Sequence, residues 1–216
     1  MNLFITGTNT GVGKTYVSSL ICKALAARGD RVAPFKPIVC GERDDAQLLL
    51  AASGRDDLSL DQVNPLHFKS PVAPMTAAMI ENREIDVDDL VRKARDLEAD
   101  SDHLIVEGVG GWEVPISADL SMADFAAKLD YPVVVVVDNR LGALNHTILT
   151  VRSVEIFELS CLGLILNSTE ESRDAASISN RVVLEQFLGS PILAELLFDQ
   201  EEIDVTPLLE LVSSSS

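Results

Sequence analysis

The stretch Gly7-Thr8-Asn9-Thr10-Gly11-Val12-Gly13-Lys14-Thr15 decides how the rest of the chain is read. An apolar run, Leu3 to Thr6, precedes it, and a helical pattern from Lys14 to Ala27 follows. The glycines therefore sit in a turn between a strand and a helix. Glycine lets the backbone curl until successive N–H groups and the helix N-terminus point at one place, an arrangement suited to phosphate oxygens. Lys14 then reaches the terminal phosphates, and the Thr15 hydroxyl is a candidate Mg²⁺ ligand. Five residues lie between Gly7 and Gly13, one more than the usual phosphate loop has. A purely structural turn would leave the Lys-Thr pair unexplained.

Outward from this loop, short apolar runs alternate with longer stretches of helical period. Strands are predicted at Leu3 to Thr6, Arg31 to Phe35, His103 to Glu107, Pro132 to Val137, Leu162 to Leu166 and Ile192 to Leu196. Helices are predicted at Lys14 to Ala27, Asp44 to Ser53, Asp86 to Glu98, Met122 to Leu129, Ala143 to Glu158 and Asp174 to Leu188. The five consecutive valines Val133 to Val137 argue for strands covered on both faces. The pattern implies an α/β fold, doubly wound, with a mainly parallel sheet and helices on both faces. One domain is expected over residues 1–212. The tail Ser213 to Ser216 is low in complexity, either a frayed end or an expression remnant. The stretch from Gly54 to Pro74 is expected to be an irregular excursion over one end of the sheet. In such folds ligands bind beyond the carboxyl ends of the strands.

Composition narrows the function. Seventeen Lys and Arg face 34 Asp and Glu in 216 residues, a formal charge of −17. That excludes a general coat for nucleic acid or anionic membrane. Hydrophobic residues make up 47%, which excludes a mainly disordered chain. The longest purely apolar run, Pro132 to Val137, is far short of the ~20 residues of a membrane helix. With no charged leader before the first strand, a soluble, cytoplasmic protein is expected. Cys22, Cys40 and Cys161 have no paired spacing, which argues against a disulfide framework or structural zinc, and Cys22 and Cys161 read as core. Charge is also uneven. Residues 1–41 hold Lys14, Lys23, Arg28, Arg31 and Lys36 against Asp30 alone, so the phosphate-binding stretch opposes the sign of the remainder.

Two carboxylates complete a plausible metal site. His103 to Glu107 is an apolar strand ending in an acid, and Gly108-Val109-Gly110-Gly111-Trp112 then lets a ligand approach the backbone. Asp44 and Asp45 supply either another ligand or a helix cap with a first-turn acid. His67, His103 and His146 share no ligand spacing and read as polar surface or hydrogen-bonded core.

These residues together resemble the dethiobiotin synthase family. The matching pieces are Gly7 to Thr15, Lys36-Pro37 with Gly41, Asp45-Ala46, Asn64-Pro65, Val106 to Trp112, Leu141 to His146, and Asn167 closing a strand. The lengthened loop is a habit of that family. The resemblance implies a fold of the phosphate-loop NTPase type and a reaction in which CO₂ carboxylates 7,8-diaminopelargonate. ATP then phosphorylates the carbamate, and the second amine closes the ring. It further implies that Lys14, Lys36 and Thr10 are catalytic, and that Asn9, Thr10, Gly11, Val12, Gly13, Lys14, Thr15, Tyr16 and Asn167 bind nucleotide. Thr15, Asp45 and Glu107 would hold Mg²⁺. Cys40, Gly108, Gly110 and Gly111 would contact substrate. So would Leu141, Gly142, Ala143, Leu144 and Asn145, which the family contributes across a two-fold interface, so that a homodimer is implied.

Several readings stay open at this stage. Asn145 is also a candidate helix cap, and Trp112 either walls the site or packs in the core. Cys40 stands where many relatives carry Ser, and Ala194-Glu195-Leu196-Leu197 lacks the family's Gly-Glu-Ile-Pro, which leaves CTP or GTP as possible nucleotides. The competing reading is a nucleotide switch of the chromosome-partitioning or septum-site type. Such proteins carry a second lysine early in the loop, where this chain has Thr8, Asn9 and Thr10. Many use a basic or membrane-binding surface, whereas the chain after Arg181 has seven acids and no Lys or Arg. An amidotransferase-related ligase would need a glutaminase domain, for which 216 residues leave no room.

Overall fold

The computed structural model describes residues 1–214. In chain order the elements are β1 (Asn2–Gly7), α1 (Lys14–Ala27), β2 (Val32–Phe35), β3 (Ile38–Cys40), α2 (Asp44–Ser53), α3 (Leu60–Val63), β4 (Leu66–Phe68), α4 (Pro74–Glu81) and α5 (Val87–Ala99). They continue with β5 (His103–Glu107), α6 (Met122–Leu129), β6 (Val133–Asp138), α7 (Ala143–Ile156), β7 (Cys161–Asn167), α8 (Ala175–Leu188), β8 (Ile192–Leu196) and α9 (Thr206–Ser214).

Six strands form one parallel sheet in the order β2-β5-β1-β6-β7-β8. The valine run shows why the sheet is covered twice. Val133, Val135 and Val137 pack with Leu90 and Leu97 of α5, Phe125 of α6 and Val151 of α7, while Val134 and Val136 pack with Val17, Ile21 and Leu25 of α1. All five are fully buried, and each such side chain contributes roughly 1.5–3 kcal/mol relative to exposure. From β1 the chain moves to β2 on one side and later to β6 on the other. The strand ends therefore open on a crevice above β1 and β5, the switch point where such sheets bind ligands.

The six predicted strands match those of the sheet to within a residue or two, and all six predicted helices exist. Helix α7 stops at Ile156 rather than Glu158 because Glu158 adopts the left-handed conformation at φ 59°. The region 54–74 is more ordered than its composition suggested. Ser59 and Gln62 form a capping box that starts α3, and β4 pairs with β3 in a two-stranded parallel ribbon. Helices α4 and α9 were not expected either. Ser213 and Ser214 end α9, and residues 215 and 216 of the predicted tail lie outside the described residues.

Trp112 is core. Its ring meets Phe4 and Phe157 edge-on at centroid distances of 6.0 and 5.9 Å, and its Nε1 donates to Ser153 Oγ at 3.1 Å. His103 is buried beside the N-terminal amine, half-buried His67 lies 2.7 Å from the Gly41 carbonyl, and His146 is exposed. Cys22 is fully buried, while Cys161 is only partly so at the start of β7. Among the described residues, no helix is long and apolar enough to cross a membrane.

Candidate active site

Residues 8–13 leave β1 and fold back over the strand ends to start α1. Gly11 and Gly13 are left-handed at φ 79° and 89°. A β-carbon on Gly13 would stand 2.2 Å from Asn167 Nδ2, and one on Gly7 would stand 2.6 Å from Val12 Cγ2. The glycines thus allow both the curl and the close approach. From behind, Asn167 at the end of β7 braces the loop by donating to the Val12 carbonyl at 3.0 Å. From the side, Gly111 packs on Asn9, where an added β-carbon would meet Asn9 Cα at 3.7 Å. Asn9 shapes the loop by accepting from the Thr10 amide at 2.7 Å through Oδ1 and from Lys14 Nζ at 3.2 Å through its carbonyl.

Glu107 anchors the charged cluster. It ends β5 beside Ile5 of β1 and is fully buried. Its Oε1 accepts from Lys36 Nζ and, at 2.7 Å, from Thr15 Oγ1, while its Oε2 has no hydrogen-bond partner among the described residues. Lys36 is 3% exposed, also donates to the Gly108 carbonyl at 3.2 Å, and lies 3.5 Å from the half-exposed Asp45 carboxylate. Burial, reinforced by the nearby Lys36 charge, lowers Lys14 to about 8, against the opposing pull of Glu107 and Asp45.

These groups line a cavity of about 370 Å³ together with Thr10, Gly11, Gly13, Tyr16, Cys40 and Gly110. That is within the size of small-ligand sites. Thr15 Oγ1, Asp45 and the unpartnered oxygen of Glu107 are hard oxygen donors on one wall, a set suited to a divalent cation that keeps part of its shell for phosphate and water. Among the described residues, no group of three His, Cys, Asp or Glu side chains could hold a metal ion, so the threonine hydroxyl is needed to complete the set. Burial and nearby Glu81 push the Cys40 thiol up to about 11, leaving it neutral.

Not all the expected residues meet. Asp44 and Asp45 both lie in the first turn of α2, whose cap is Arg43. The segment Leu141 to Asn145 is not in the lining of this cavity. There Gly142 caps α7 at φ 94°, so Asn145 is a first-turn residue and not the cap, and Leu141 is 81% exposed. The Asn64-Pro65 motif finds its use behind Lys36: Asn64 Nδ2 donates to the Lys36 carbonyl at 2.8 Å, and the Lys36 amide donates to Val63 at 2.8 Å. Arg43, which sequence reasoning missed, locks this arrangement through Asn64 Oδ1 at 3.0 Å and the Asn64 carbonyl at 2.8 Å. Its signal is a contact across 21 residues, with no local pattern to announce it.

Residues 1–201 match the model of a family described as an AAA domain. The chain is 44% identical over 209 residues to the ATP-dependent dethiobiotin synthetase of Akkermansia muciniphila, covering 97% of this chain and 98% of that one. It is 39% identical over 165 residues to the enzyme of that name from Methanococcus vannielii, covering 76% and 78%. Among solved structures it resembles the septum site-determining protein MinD of Pyrococcus horikoshii, described as a complex with Mg-ADP, at a TM-score of 0.60 and 17% identity over 92% of this chain and 82% of that one. At that identity the likeness concerns the fold alone.

Proposed function

The chain belongs to the ATP-dependent dethiobiotin synthetase family, and from that membership we propose how its own residues drive ring closure by ATP. The substrates we assign are 7,8-diaminopelargonate, CO₂ and ATP. One amine of the diamine adds to CO₂ and loses a proton, giving a carbamate. A carbamate oxygen then attacks the γ-phosphorus, releasing ADP and leaving a carbamoyl phosphate. The second amine attacks the carbamoyl carbon, expels inorganic phosphate and closes the ureido ring.

Each step asks for something this cavity has. Phosphoryl transfer spreads negative charge between nucleotide and carbamate, and fixed cations stabilise it. Lys14 reaches the phosphates from the loop, while Lys36 meets them from the β2 side of the cavity. Thr10, on the same rim, steadies the carbamate or a phosphate. Thr15, Asp45 and Glu107 would hold Mg²⁺, which would supply charge neutralisation for the phosphates. The loop residues Asn9 to Thr15 offer N–H groups, and Tyr16 flanks them. Asn167 faces the base side with a buried Oδ1 that has no partner. Cys40 and Gly110 line the end of the cavity assigned to the diamine, and Gly108 and Gly111, outside that lining, are assigned to its backbone approach.

The substrate carboxylate is assigned to the α7 start of a second copy, where Leu141 to Asn145 are free of this chain's cavity. Exposed Leu141, Leu149 and Ile156 at and along α7, with Ile178, Val182 and Phe187 of the adjacent α8, supply an apolar surface for that homodimer. The reaction is assigned to the cytoplasm, where ATP is supplied and thiols stay reduced.

The observation that carries this reading is the convergence of buried Lys14, Lys36 and Glu107 with half-buried Thr15 under one phosphate loop. Purified protein with ATP, Mg²⁺, bicarbonate and the diamine is expected to yield dethiobiotin and ADP in equal amounts. ATP hydrolysis that runs equally fast without the diamine would overturn it in favour of a nucleotide switch.

The Lys14 position adds a pH dependence. Its ammonium is charged below pH 8 and discharges as pH climbs through about 8, whereas a lysine in the unfolded chain stays charged to about 10.5. Between those values the unfolded state binds more protons, so stability rises with pH. Phosphate binding needs the charged form. ATP affinity is therefore expected to fall above pH 8, by up to about tenfold per pH unit. Calorimetric titrations from pH 7 to pH 9.5 check this, and a flat profile would detach Lys14 from the phosphates.

A further inference from the structure

Tyr16 makes a contact that phosphate binding does not require. Its hydroxyl donates to the main-chain carbonyl of Gln200, 184 residues away in the segment that follows β8. That segment is a braced turn. The Gln200 amide donates to the Leu197 carbonyl at 3.2 Å, Gln200 Oε1 accepts from the Leu197 amide at 3.1 Å, and Gln200 Nε2 donates to the Glu202 carbonyl at 2.8 Å. Asp199 within it is left-handed at φ 55°.

The turn leaves the sheet beside Asn167. Leu196 pairs with Asn167 in the β7–β8 register, and the Ser168 amide donates to the Leu196 carbonyl at 3.0 Å. Asn167 lies directly behind Gly13 and keeps a buried, unpartnered Oδ1. Leu197 and Phe198, 50% and 44% exposed, stand at the start of the turn. Three parts of the chain therefore meet at one edge of the phosphate loop: the first turn of α1, the end of β7 and the turn after β8. The tie from Tyr16 is the side-chain hydrogen bond that joins the first to the third.

We infer that Tyr16 is a positioning residue for binding of the nucleotide base, holding the 197–202 turn against the loop so that its apolar start and Asn167 form a ready wall for the base. This deepens the proposed function and rests on its placement of the base beside Asn167. A wall ordered before binding spares the ligand the entropic cost of ordering it. The ring of Tyr16 packs on the core beneath α1, so only its hydroxyl is spent on the turn. Burial and the acids Asp199 and Glu201 raise the pKa of its hydroxyl, which keeps it protonated and a donor.

The test compares a ligand with a base to one without, by binding alone and in the absence of the diamine. For Tyr16→Phe, the dissociation constant of ATP is expected to rise roughly three- to tenfold, the factor that the net worth of one hydrogen bond gives. That of inorganic tripolyphosphate is expected to stay within about twofold of wild type. Gln200→Ala, which unbraces the turn without touching α1, should reproduce the split. Equal weakening of both ligands would place Tyr16 on the phosphates, and no weakening of either would make the tie idle. Both results overturn the inference. Because binding is measured, the outcome is independent of whether dethiobiotin forms, so failure of the synthase reading shows separately in the activity assay.

Discussion

Replacing Lys36 by methionine is expected to lower turnover at least ~10²-fold, the loss that follows removal of one fixed transition-state donor. The reason lies in its burial. At 3% exposure, its ammonium lies in a medium where charge is weakly screened, 3.5 Å from Asp45 and in contact with Glu107. A surface lysine would lose such an interaction to water. Methionine keeps the length and apolar volume of the stem but leaves the Glu107 carboxylate without its cation. The variant is therefore expected to unfold at lower urea concentration than wild type. Mg²⁺ should restore much of that stability by occupying the carboxylate, without restoring the rate. A steady-state assay with a urea titration, each with and without Mg²⁺, separates the two effects. Wild-type turnover in Lys36→Met would remove this residue from the reaction.

The second large effect is expected at Glu107→Gln. The amide matches the carboxylate in shape, so packing at the end of β5 is kept and only the charge is lost. Two consequences follow from that charge. The proposed cation site would lose its fully buried carboxylate, so the Mg²⁺ concentration for half-maximal rate should rise steeply and the maximal rate should fall by at least ~10². Lys36 is left with the half-exposed Asp45 as its one acidic neighbour. Breaking one partner of a buried pair costs about 3–5 kcal/mol, reduced here toward the lower end by that remaining acid. Chemical denaturation and a Mg²⁺ titration of the rate read these separately. Unaltered Mg²⁺ dependence at full rate would assign the metal elsewhere.

How much of this was legible in the sequence depends on the distance over which each signal acts. The valine run of β6 and the apolar strands β1 and β5 announced themselves because burial on both faces leaves a local mark. The phosphate loop was legible for the same reason: its turn, its lysine and its hydroxyl are consecutive. Helix α4 and the β3–β4 ribbon escaped, since a three-residue strand has no measurable period and α4 is only eight residues long and opens on Pro74. In the site, Glu107 and Asp45 were named from residue type and position at element ends, and Lys36 only through the family resemblance, since a lone lysine at a strand end is ordinarily solvated. What could not be read was that one Glu107 oxygen binds both Lys36 and Thr15, leaving the other oxygen free. Arg43 and the Tyr16 tie were equally invisible, because each joins segments whose proximity exists only after folding.

The strand order carries a consequence for how the protein is made. β1 is synthesised well before its neighbours in the sheet, β5 and β6, which begin at His103 and Val133. Until both have left the ribosome, Leu3, Phe4 and Ile5 have no sheet to enter. The Asn167 brace arrives later still. At roughly 5–20 residues per second, the nascent chain waits many seconds with its phosphate loop displayed but unformed. Pairings this distant in sequence also make refolding slow. A motif translated ahead of both its sheet partners is thus among the last to become competent, and any truncation before Val133 would yield a loop sequence without a loop.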